Sequence, residues 1–264
     1  MTVRCPVCDE ACRESFRAQV LRKYDAAYYQ CTVCGLVRTE DPHWLEEAHA
    51  SAIADADTGL LSRNIELSER LCALLYLMDG GRGPYLDASG GYGVTTRLMR
   101  DAGFDYYWED PYCENLFARG FEHNPGRVYS AVSIFEVLEH VISPLEFLGR
   151  YLSQQPTPTL LLTTETFDGP GAPPRDWRYY SFETGQHVVF FSTESMRRLA
   201  ARLSVNYFSW RRFHILGAGN RLQESLRILQ VPLLWRFVAR AARAKLSSRT
   251  VTDNAMLLDA NREP

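Results

Sequence analysis

Two Cys-x-x-Cys pairs, Cys5–Cys8 and Cys31–Cys34, stand near the N-terminus of this 264-residue chain. Each such turn aims two thiolates at one point, and two turns complete the tetrahedral set of four sulfur ligands that Zn²⁺ prefers. Four protein ligands leave no open position for a substrate. We therefore expect a structural zinc site that folds a segment too small to have a core of its own. Cys12 is an alternative ligand in the same region.

A second candidate site lies in the segment YLDASGGYGVTT, which begins at Tyr85. The pattern predicts a strand that ends at Asp87, a turn of small residues and then a helix. Small residues let a ligand approach the backbone closely. Asp110 follows the next predicted strand, where a carboxylate can accept hydrogen bonds from both hydroxyls of a ribose. A turn without a ligand, and strand-end or helix-cap roles for the two aspartates, stay open as alternatives.

The ordered set of motifs resembles the class I S-adenosylmethionine-dependent methyltransferases. Their loop has the form Asp-x-Gly-x-Gly-x-Gly, and Ser89 here takes the place of the first glycine. The segment FEVLEH at 135–140 resembles the fourth-strand signature of the family, and GQHVVFFS at 185–192 resembles a segment beyond its fifth strand. An N-terminal segment with two Cys-x-x-Cys pairs occurs in a subset that includes deoxysugar C-methyltransferases.

The resemblance implies a role for each residue of the loop. Asp87 and the turn would hold the methionine part and the ribose of S-adenosylmethionine, and Asp110 would bind the ribose. Phe135 and Glu136 would lie beside the cofactor. The implied cofactor residues are thus Asp87, Ser89, Gly91, Tyr92, Gly93, Asp110, Phe135 and Glu136.

Methyl transfer from a sulfonium requires mainly that the acceptor be aligned, because the methyl carbon is already electrophilic. A hydroxyl or carbon acceptor also needs a base. We predict His140 and His187 as the candidates, since an imidazole can take a proton near neutral pH. A hydrogen-bonded structural histidine is the alternative at both positions. For Glu139, a catalytic role and a cap of the following helix both stay open.

The composition indicates a globular protein, with 46% apolar and 23% charged residues. A net charge of −3 argues against a nucleic-acid partner. No apolar run is long enough to predict a transmembrane helix, and no signal peptide is evident. Clustered cysteines without an export signal indicate a reducing compartment, so we expect a cytoplasmic protein.

Short strands alternate with helices after residue 84, which predicts βαβ units. With the resemblance, this implies an α/β fold with a doubly wound, mostly parallel seven-stranded sheet and an N-terminal zinc-ribbon-like segment. We predict a zinc-binding segment at 1–45, a methyltransferase domain at 46–220, and a C-terminal amphipathic helix and tail at 221–264. That basic helix can pack on its own domain, on a second subunit or weakly on a membrane surface.

The leading interpretation is a methyltransferase that uses S-adenosylmethionine on a small-molecule or glycan acceptor, at a hydroxyl. The alternative is a zinc-ribbon interaction protein on a catalytically inactive cofactor-binding scaffold. A zinc-dependent hydrolase is disfavoured, because four cysteine ligands leave no position for water.

Overall fold

The computed structural model describes residues 3–50, 57–154, 159–217 and 220–260. The strands are β1 (Cys12–Val20), β2 (Tyr24–Cys31), β3 (Val37–Thr39), β4 (Tyr85–Ala88), β5 (Tyr106–Glu109), β6 (Ala131–Phe135), β7 (Thr159–Thr163), β8 (Thr166–Phe167), β9 (Val189–Ser192), β10 (Asn206–Trp210) and β11 (Phe213–Gly217). The helices are α1 (Leu45–Ala48), α2 (Leu60–Asp79), α3 (Val94–Asp101), α4 (Pro144–Ser153), α5 (Thr193–Arg202), α6 (Asn220–Leu229), α7 (Leu234–Lys245) and α8 (Thr250–Ala260).

The chain divides into two compact units, each assembled from separate stretches of sequence. Unit 1 comprises Met1–Ala54, Phe135–Gln154 and Leu161–Gly217, and unit 2 comprises Asp55–Ile134, Gln155–Leu160 and Ala218–Pro264. These units follow spatial contacts rather than sequence order. The predicted segments 1–45, 46–220 and 221–264 therefore stay a prediction.

Unit 1 contains a five-stranded sheet in the order β1-β2-β3-β9-β8. The neighbours from β1 to β9 are antiparallel, and β8 runs parallel to β9. Cys12 lies opposite Cys31 in the hairpin of β1 and β2, which brings the two ends that carry the cysteine pairs together.

An aromatic core fills the space beside this sheet. Phe16 stacks on Tyr28 with ring centroids 4.6 Å apart, and Tyr180 stacks on Phe182 at 5.1 Å. The indole nitrogen of Trp44 donates a hydrogen bond of 3.0 Å to the carbonyl of Gly185. Tyr180 is fully buried, so it packs in the core of unit 1.

A second sheet has six strands in the order β10-β11-β7-β6-β4-β5. Strand β4 runs parallel to both β5 and β6, whereas β10 and β11 are antiparallel. The α/β class is confirmed, but the prediction of one mostly parallel, seven-stranded sheet is wrong. The described residues form two mixed sheets instead.

Local features explain the difference. The stretch 205–213, which the pattern predicts as one strand, turns back at Arg211 with a φ of 56° and forms a hairpin. The stretch 185–192 contributes β9 to the five-stranded sheet. Residues 110–130, all of them described, contain no helix between β5 and β6. Pro111 and Pro125 lie in this connection and disfavour one.

Helix α7 packs against α2 within unit 2. Its inner face buries Trp235, Ala239 and Ala242, and the guanidinium of Arg70 lies over the Trp235 ring at 5.4 Å. Packing on its own unit is therefore the observed role of the predicted basic helix. None of the helices in the described ranges combines the length and apolar character that a membrane span requires.

Helix α8 is held to unit 2 by a buried ion pair. Arg100 and Asp253 are 2% and 4% exposed, and the guanidinium donates two hydrogen bonds of 2.7 Å to the carboxylate. Arg97 adds a third at 3.0 Å. Burial opposes ionisation of Asp253, but the hydrogen bonds and charges of the two arginines lower its pKa. The carboxylate is therefore ionised at neutral pH.

We expect Asp253→Asn to lower the free energy of unfolding by about 3 kcal/mol, because Arg100 then stays buried without its main partner. Urea denaturation measures the change. The control is Glu114→Gln, which removes an exposed ion pair with Arg119 and should cost less than about 1 kcal/mol. Equal effects of the two substitutions would contradict this account of how α8 is held.

Candidate functional site

The turn between β4 and α3 has an unusual backbone conformation. Ser89, Gly91 and Gly93 have φ values of 57°, 55° and 87°, in the left-handed region that glycine tolerates best. A Cβ atom on Gly93 would lie 3.1 Å from the Cβ of Ala118. One on Gly91 would meet no atom of the described residues within 4 Å, so this glycine faces open space. Ser89 adopts the conformation at some cost in strain.

Asp87 lies just before this turn and is buried in unit 2, with 2% exposure. Its carboxylate accepts hydrogen bonds from the hydroxyls of Ser133 at 3.0 Å and Thr96 at 3.2 Å. Burial raises the pKa of Asp87 to about 7, against the lowering effect of the two hydroxyls. A carboxyl group with so perturbed a pKa is typical of functional sites.

Asp110 ties the turn to the end of β5. One carboxylate oxygen accepts from the amide of Gly91 at 2.9 Å, and the other accepts from the amides of Tyr112 and Cys113 at 2.8 and 3.0 Å. Trp108 donates from its indole nitrogen to the Gly91 carbonyl at 2.8 Å. Asp110 thus has a structural role, which was one of the alternatives that the sequence left open for this residue. A carboxylate has about four acceptor sites, so capacity for a ligand hydroxyl is left.

Tyr92 is half-buried, and its carbonyl accepts hydrogen bonds from the amides of Leu116 and Phe117, both at 3.1 Å. Unit 2 therefore gathers six of the eight predicted cofactor residues around one turn: Asp87, Ser89, Gly91, Tyr92, Gly93 and Asp110. The sequence did not single out Ser133, Thr96 or Trp108. Their contacts depend on strand pairing and helix position rather than on a motif.

Phe135 and Glu136, the other two predicted cofactor residues, belong to unit 1. The Phe135 ring meets Phe213 edge-on with centroids 5.6 Å apart. Glu136 has a φ of 55°, and its carboxylate lies 3.4 Å from the guanidinium of Arg212. A non-glycine residue in this conformation is strained, as residues of functional sites often are.

The two predicted catalytic histidines lie together in unit 1. Their ring centroids are 4.9 Å apart and their planes almost perpendicular. The Nδ1 of His140 lies 3.1 Å from the carbonyl of Gln186, and the Nδ1 of His187 lies 2.6 Å from that of Tyr179. A carbonyl can only accept, so both histidines carry a proton on Nδ1. When neutral, each therefore presents the lone pair of Nε2.

Burial lowers the pKa of His140 to about 3, with further lowering by the nearby His187 and His49. Burial also lowers the pKa of His187. Both rings are consequently neutral at neutral pH. A neutral imidazole can accept a proton or bind a metal ion through its unprotonated nitrogen.

Glu139 joins the two histidines, and both a catalytic role and a helix cap were open for it on sequence grounds. Its side chain is fully buried, and neither carboxylate oxygen has a hydrogen-bond partner within the described part of the chain. Burial, and then the charge of Glu136, raise the pKa of Glu139 to about 8. The donor atoms of Glu139, His140 and His187 all lie within 4.8 Å of one another. The one feature of the sequence that could have pointed to Glu139 was its position next to His140.

The four predicted metal ligands of the N-terminal segment also converge. The sulfur atoms of Cys5 and Cys34 lie 3.5 Å apart, as do those of Cys8 and Cys31, and all four fall within 4.8 Å. A tetrahedral site with metal–sulfur bonds of about 2.3 Å requires separations of about 3.8 Å. The donor set and its spacing therefore fit zinc. Cys12 is buried but is not one of this group of four.

A family model described as a methyltransferase domain matches residues 63–204, which is more than half of the chain. The chain belongs to this methyltransferase family. The predicted resemblance and the enzyme class are thereby confirmed at the level of the family. The matched residues of the methyltransferase include the turn after β4 and both candidate histidines.

A search of curated proteins finds no match to the methyltransferase. Among solved structures, an O-methyltransferase family 2 protein from Planctomyces limnophilus DSM 3776, in complex with apigenin, is 14% identical, with a TM-score of 0.42 over 52% of this chain and 51% of that chain. An O-methyltransferase family protein from Burkholderia thailandensis is 16% identical, with a TM-score of 0.43 over 66% of each chain. Human N-acetylserotonin methyltransferase, in complex with SAM, is 11% identical, with a TM-score of 0.45 over 67% of this chain and 66% of that chain.

The methyltransferase thus spans about half the length of the first of these proteins and 66% of the other two.

We expect Asp87→Asn to stabilise the free methyltransferase at pH 8. Since the pKa of Asp87 is raised in the folded chain, the free energy of unfolding of the wild type falls as the pH rises from about 4 to about 7. The side-chain amide of the variant does not ionise, so its free energy of unfolding does not fall in this way. It should exceed that of the wild type by about 2–4 kcal/mol at pH 8 and by less at pH 5.5. Urea denaturation at both pH values measures the difference.

The matched control is Asp110→Asn, which removes an acceptor of backbone hydrogen bonds and should lower stability at both pH values. An Asp87→Asn protein that is less stable than the wild type at pH 8 would contradict the assignment of a strained, buried carboxylate.

Proposed function

We propose that this chain transfers a methyl group from S-adenosylmethionine to a hydroxyl of a small molecule or glycan. The observation that carries the proposal is the left-handed turn at residues 89–93, closed by Asp110 and set directly after the buried Asp87. Such a turn exposes backbone to a ligand at the carboxyl end of a parallel strand, where sheets of this class bind cofactors. The turn lies inside the stretch matched by the methyltransferase model.

The chemistry of the cofactor supports the same residues. A sulfonium is cationic, and Asp87 and Asp110 supply carboxylates at the ends of two neighbouring parallel strands. The open space over Gly91 would admit the methionine part, and the remaining acceptor site of Asp110 would receive a ribose hydroxyl. The proposal assigns contacts with the cofactor to Ser89, Tyr92 and Gly93 as well.

Phe135 and Glu136 are proposed as further cofactor contacts. They follow Ser133 in the chain, the residue whose hydroxyl donates to Asp87. Glu136 would add a carboxylate, partly offset by its ion pair with Arg212.

The reaction forms a bond between the acceptor oxygen and the methyl carbon, and breaks the bond between that carbon and sulfur. The electron pair of the broken bond returns to sulfur, which becomes a neutral thioether, and the hydroxyl gives up its proton. We assign removal of that proton to the pair His140 and His187, whose Nε2 lone pairs are left available by the carbonyl contacts of Nδ1. Both rings are half-buried.

We further propose that Cys5, Cys8, Cys31 and Cys34 bind one Zn²⁺ in a structural role. Four sulfur donors close the coordination shell. The amides of Val33 and Cys34 donate to the sulfur of Cys31 at 3.5 and 3.4 Å, which stabilises a thiolate there. The metal would fix the ends of the β1–β2 hairpin, whose strands carry part of the aromatic core.

Calorimetry with S-adenosylmethionine should show binding, whereas NAD should show none. Asp110→Ala should weaken the affinity for S-adenosylmethionine at least about tenfold, since it removes both the ribose acceptor and the tie to Gly91. Asp168→Ala is the control, because this exposed aspartate lies in unit 1 outside the turn. Undiminished affinity in a folded Asp110→Ala protein would remove the ribose assignment, and no affinity in the wild type would remove the proposed function.

Cobalt substitution tests the four-cysteine site. Thiolate-to-cobalt charge-transfer absorption should appear in the wild type and persist in Cys12→Ser, because Cys12 is outside the group of four. Cys34→Ser should lose most of this absorption and unfold more easily, since structural zinc contributes directly to folding. An unchanged spectrum in Cys34→Ser, or its loss in Cys12→Ser, would assign the ligands differently.

A further inference from the structure

A second convergence of metal-binding side chains lies in unit 1, apart from the four cysteines. The carboxylate of Glu139 and one nitrogen from each of His140 and His187 fall within 4.8 Å of one another. Two imidazoles and one carboxylate on one side of an ion form a donor set used for divalent transition metals, with positions left open for other ligands. The half-burial of both histidines is consistent with such an open side.

The histidines are oriented as metal-binding histidines usually are. Ligating imidazoles commonly donate the N–H of their second nitrogen to a backbone carbonyl or carboxylate, which fixes the tautomer and the ring. His140 donates from Nδ1 to the carbonyl of Gln186, and His187 donates from Nδ1 to that of Tyr179. The Nε2 atoms are then the lone-pair donors. A general base and a metal ligand both need a free Nε2 lone pair, so the geometry of the histidines does not distinguish these two roles. The surroundings of Glu139 do.

Glu139 is fully buried, and both of its oxygens lack hydrogen-bond partners in the described residues. The hydroxyls of Thr164 and Tyr179 lie beside the carboxyl group of Glu139 and are bonded to each other at 2.8 Å, which leaves at most one hydroxyl proton for the two oxygens of Glu139. A buried carboxylate with so few donors is costly, and a protein either keeps such a group protonated or compensates it with a cation or a metal. Glu136 adds negative charge on the same side, since its charge acts on both Glu139 and His187.

We propose that Glu139, His140 and His187 bind a divalent transition-metal cation. The mixed nitrogen and oxygen donors favour an ion of the Mn²⁺, Fe²⁺ or Zn²⁺ type over Ca²⁺ or Mg²⁺, which prefer oxygen alone. Binding of the cation follows from these three side chains and is independent of the cofactor site.

The role of the bound cation rests on the proposed methyl transfer. An acceptor hydroxyl in an open coordination position would lose its proton to water more easily, because a bound cation stabilises the alkoxide. The alkoxide oxygen then takes the methyl group as the carbon–sulfur bond breaks. His140 and His187 would in this case act on the acceptor through the cation rather than as direct bases.

Titration of the full chain with Mn²⁺, followed by the electron paramagnetic resonance of free Mn²⁺, tests the site. The protein first receives one equivalent of Zn²⁺, which the four thiolates take up because soft sulfur donors favour zinc over manganese. We expect one Mn²⁺ per chain. Glu139→Gln and His187→Asn should each weaken its binding at least about tenfold, whereas His123→Asn, a histidine of unit 2, should bind as the wild type does.

Glu139→Gln conserves the side-chain shape and replaces a buried carboxyl group that has few hydrogen-bond donors with a neutral amide, so it should fold at least as stably as the wild type. A wild type that binds no Mn²⁺, or a Glu139→Gln protein that binds it equally well, would overturn the proposal. The titration contains no S-adenosylmethionine. Its failure is therefore distinguishable from failure of the proposed methyl transfer, which calorimetry with S-adenosylmethionine reports separately.

Discussion

The buried carboxylate of Asp87 at the end of β4 determines how the turn between β4 and α3 is built. It is held by hydroxyls from β6 and α3, so a strand, a helix and the turn between them are fixed around one acidic group. The backbone can leave this point only through left-handed residues, because Gly93 is packed against Ala118. Asp110 then closes the turn from the neighbouring strand. The fold accepts a carboxyl group with a raised pKa here, which is understandable if a cationic ligand compensates it.

Unit 1 has a similar arrangement. Glu139 is a buried carboxyl group whose oxygens meet no hydrogen-bond partner among the residues that the structure describes, and two neutral histidines with fixed tautomers lie beside it. Asp87 and Glu139 are both buried, and burial disfavours the charged form of each carboxyl group in the free protein. The proposed ligands would relieve this cost in each case, a sulfonium at Asp87 and a metal cation at Glu139. The four cysteines differ, because four sulfur ligands complete a shell and leave nothing for a substrate.

Much of the site was predictable because its signals are local. The spacing of the cysteine pairs was sufficient to predict their convergence. The hairpin of β10 and β11 was missed because its turn uses Arg211 rather than glycine, so no glycine or proline interrupts the aromatic-rich stretch 205–213. The pairing of β3 with β9 joins residues about 150 positions apart, and no local pattern encodes it. Burial of Glu139 is likewise a tertiary property.

Hydrogen–deuterium exchange with and without S-adenosylhomocysteine, the demethylated product of the cofactor, tests the central claim most directly. The account predicts that this ligand slows amide exchange in two short stretches, residues 87–93 and 110–113, because the Asp110 contacts couple the turn to the end of β5. Unchanged exchange in both stretches at saturating ligand, or protection confined to other parts of the chain, would contradict the assignment of this turn as the cofactor site.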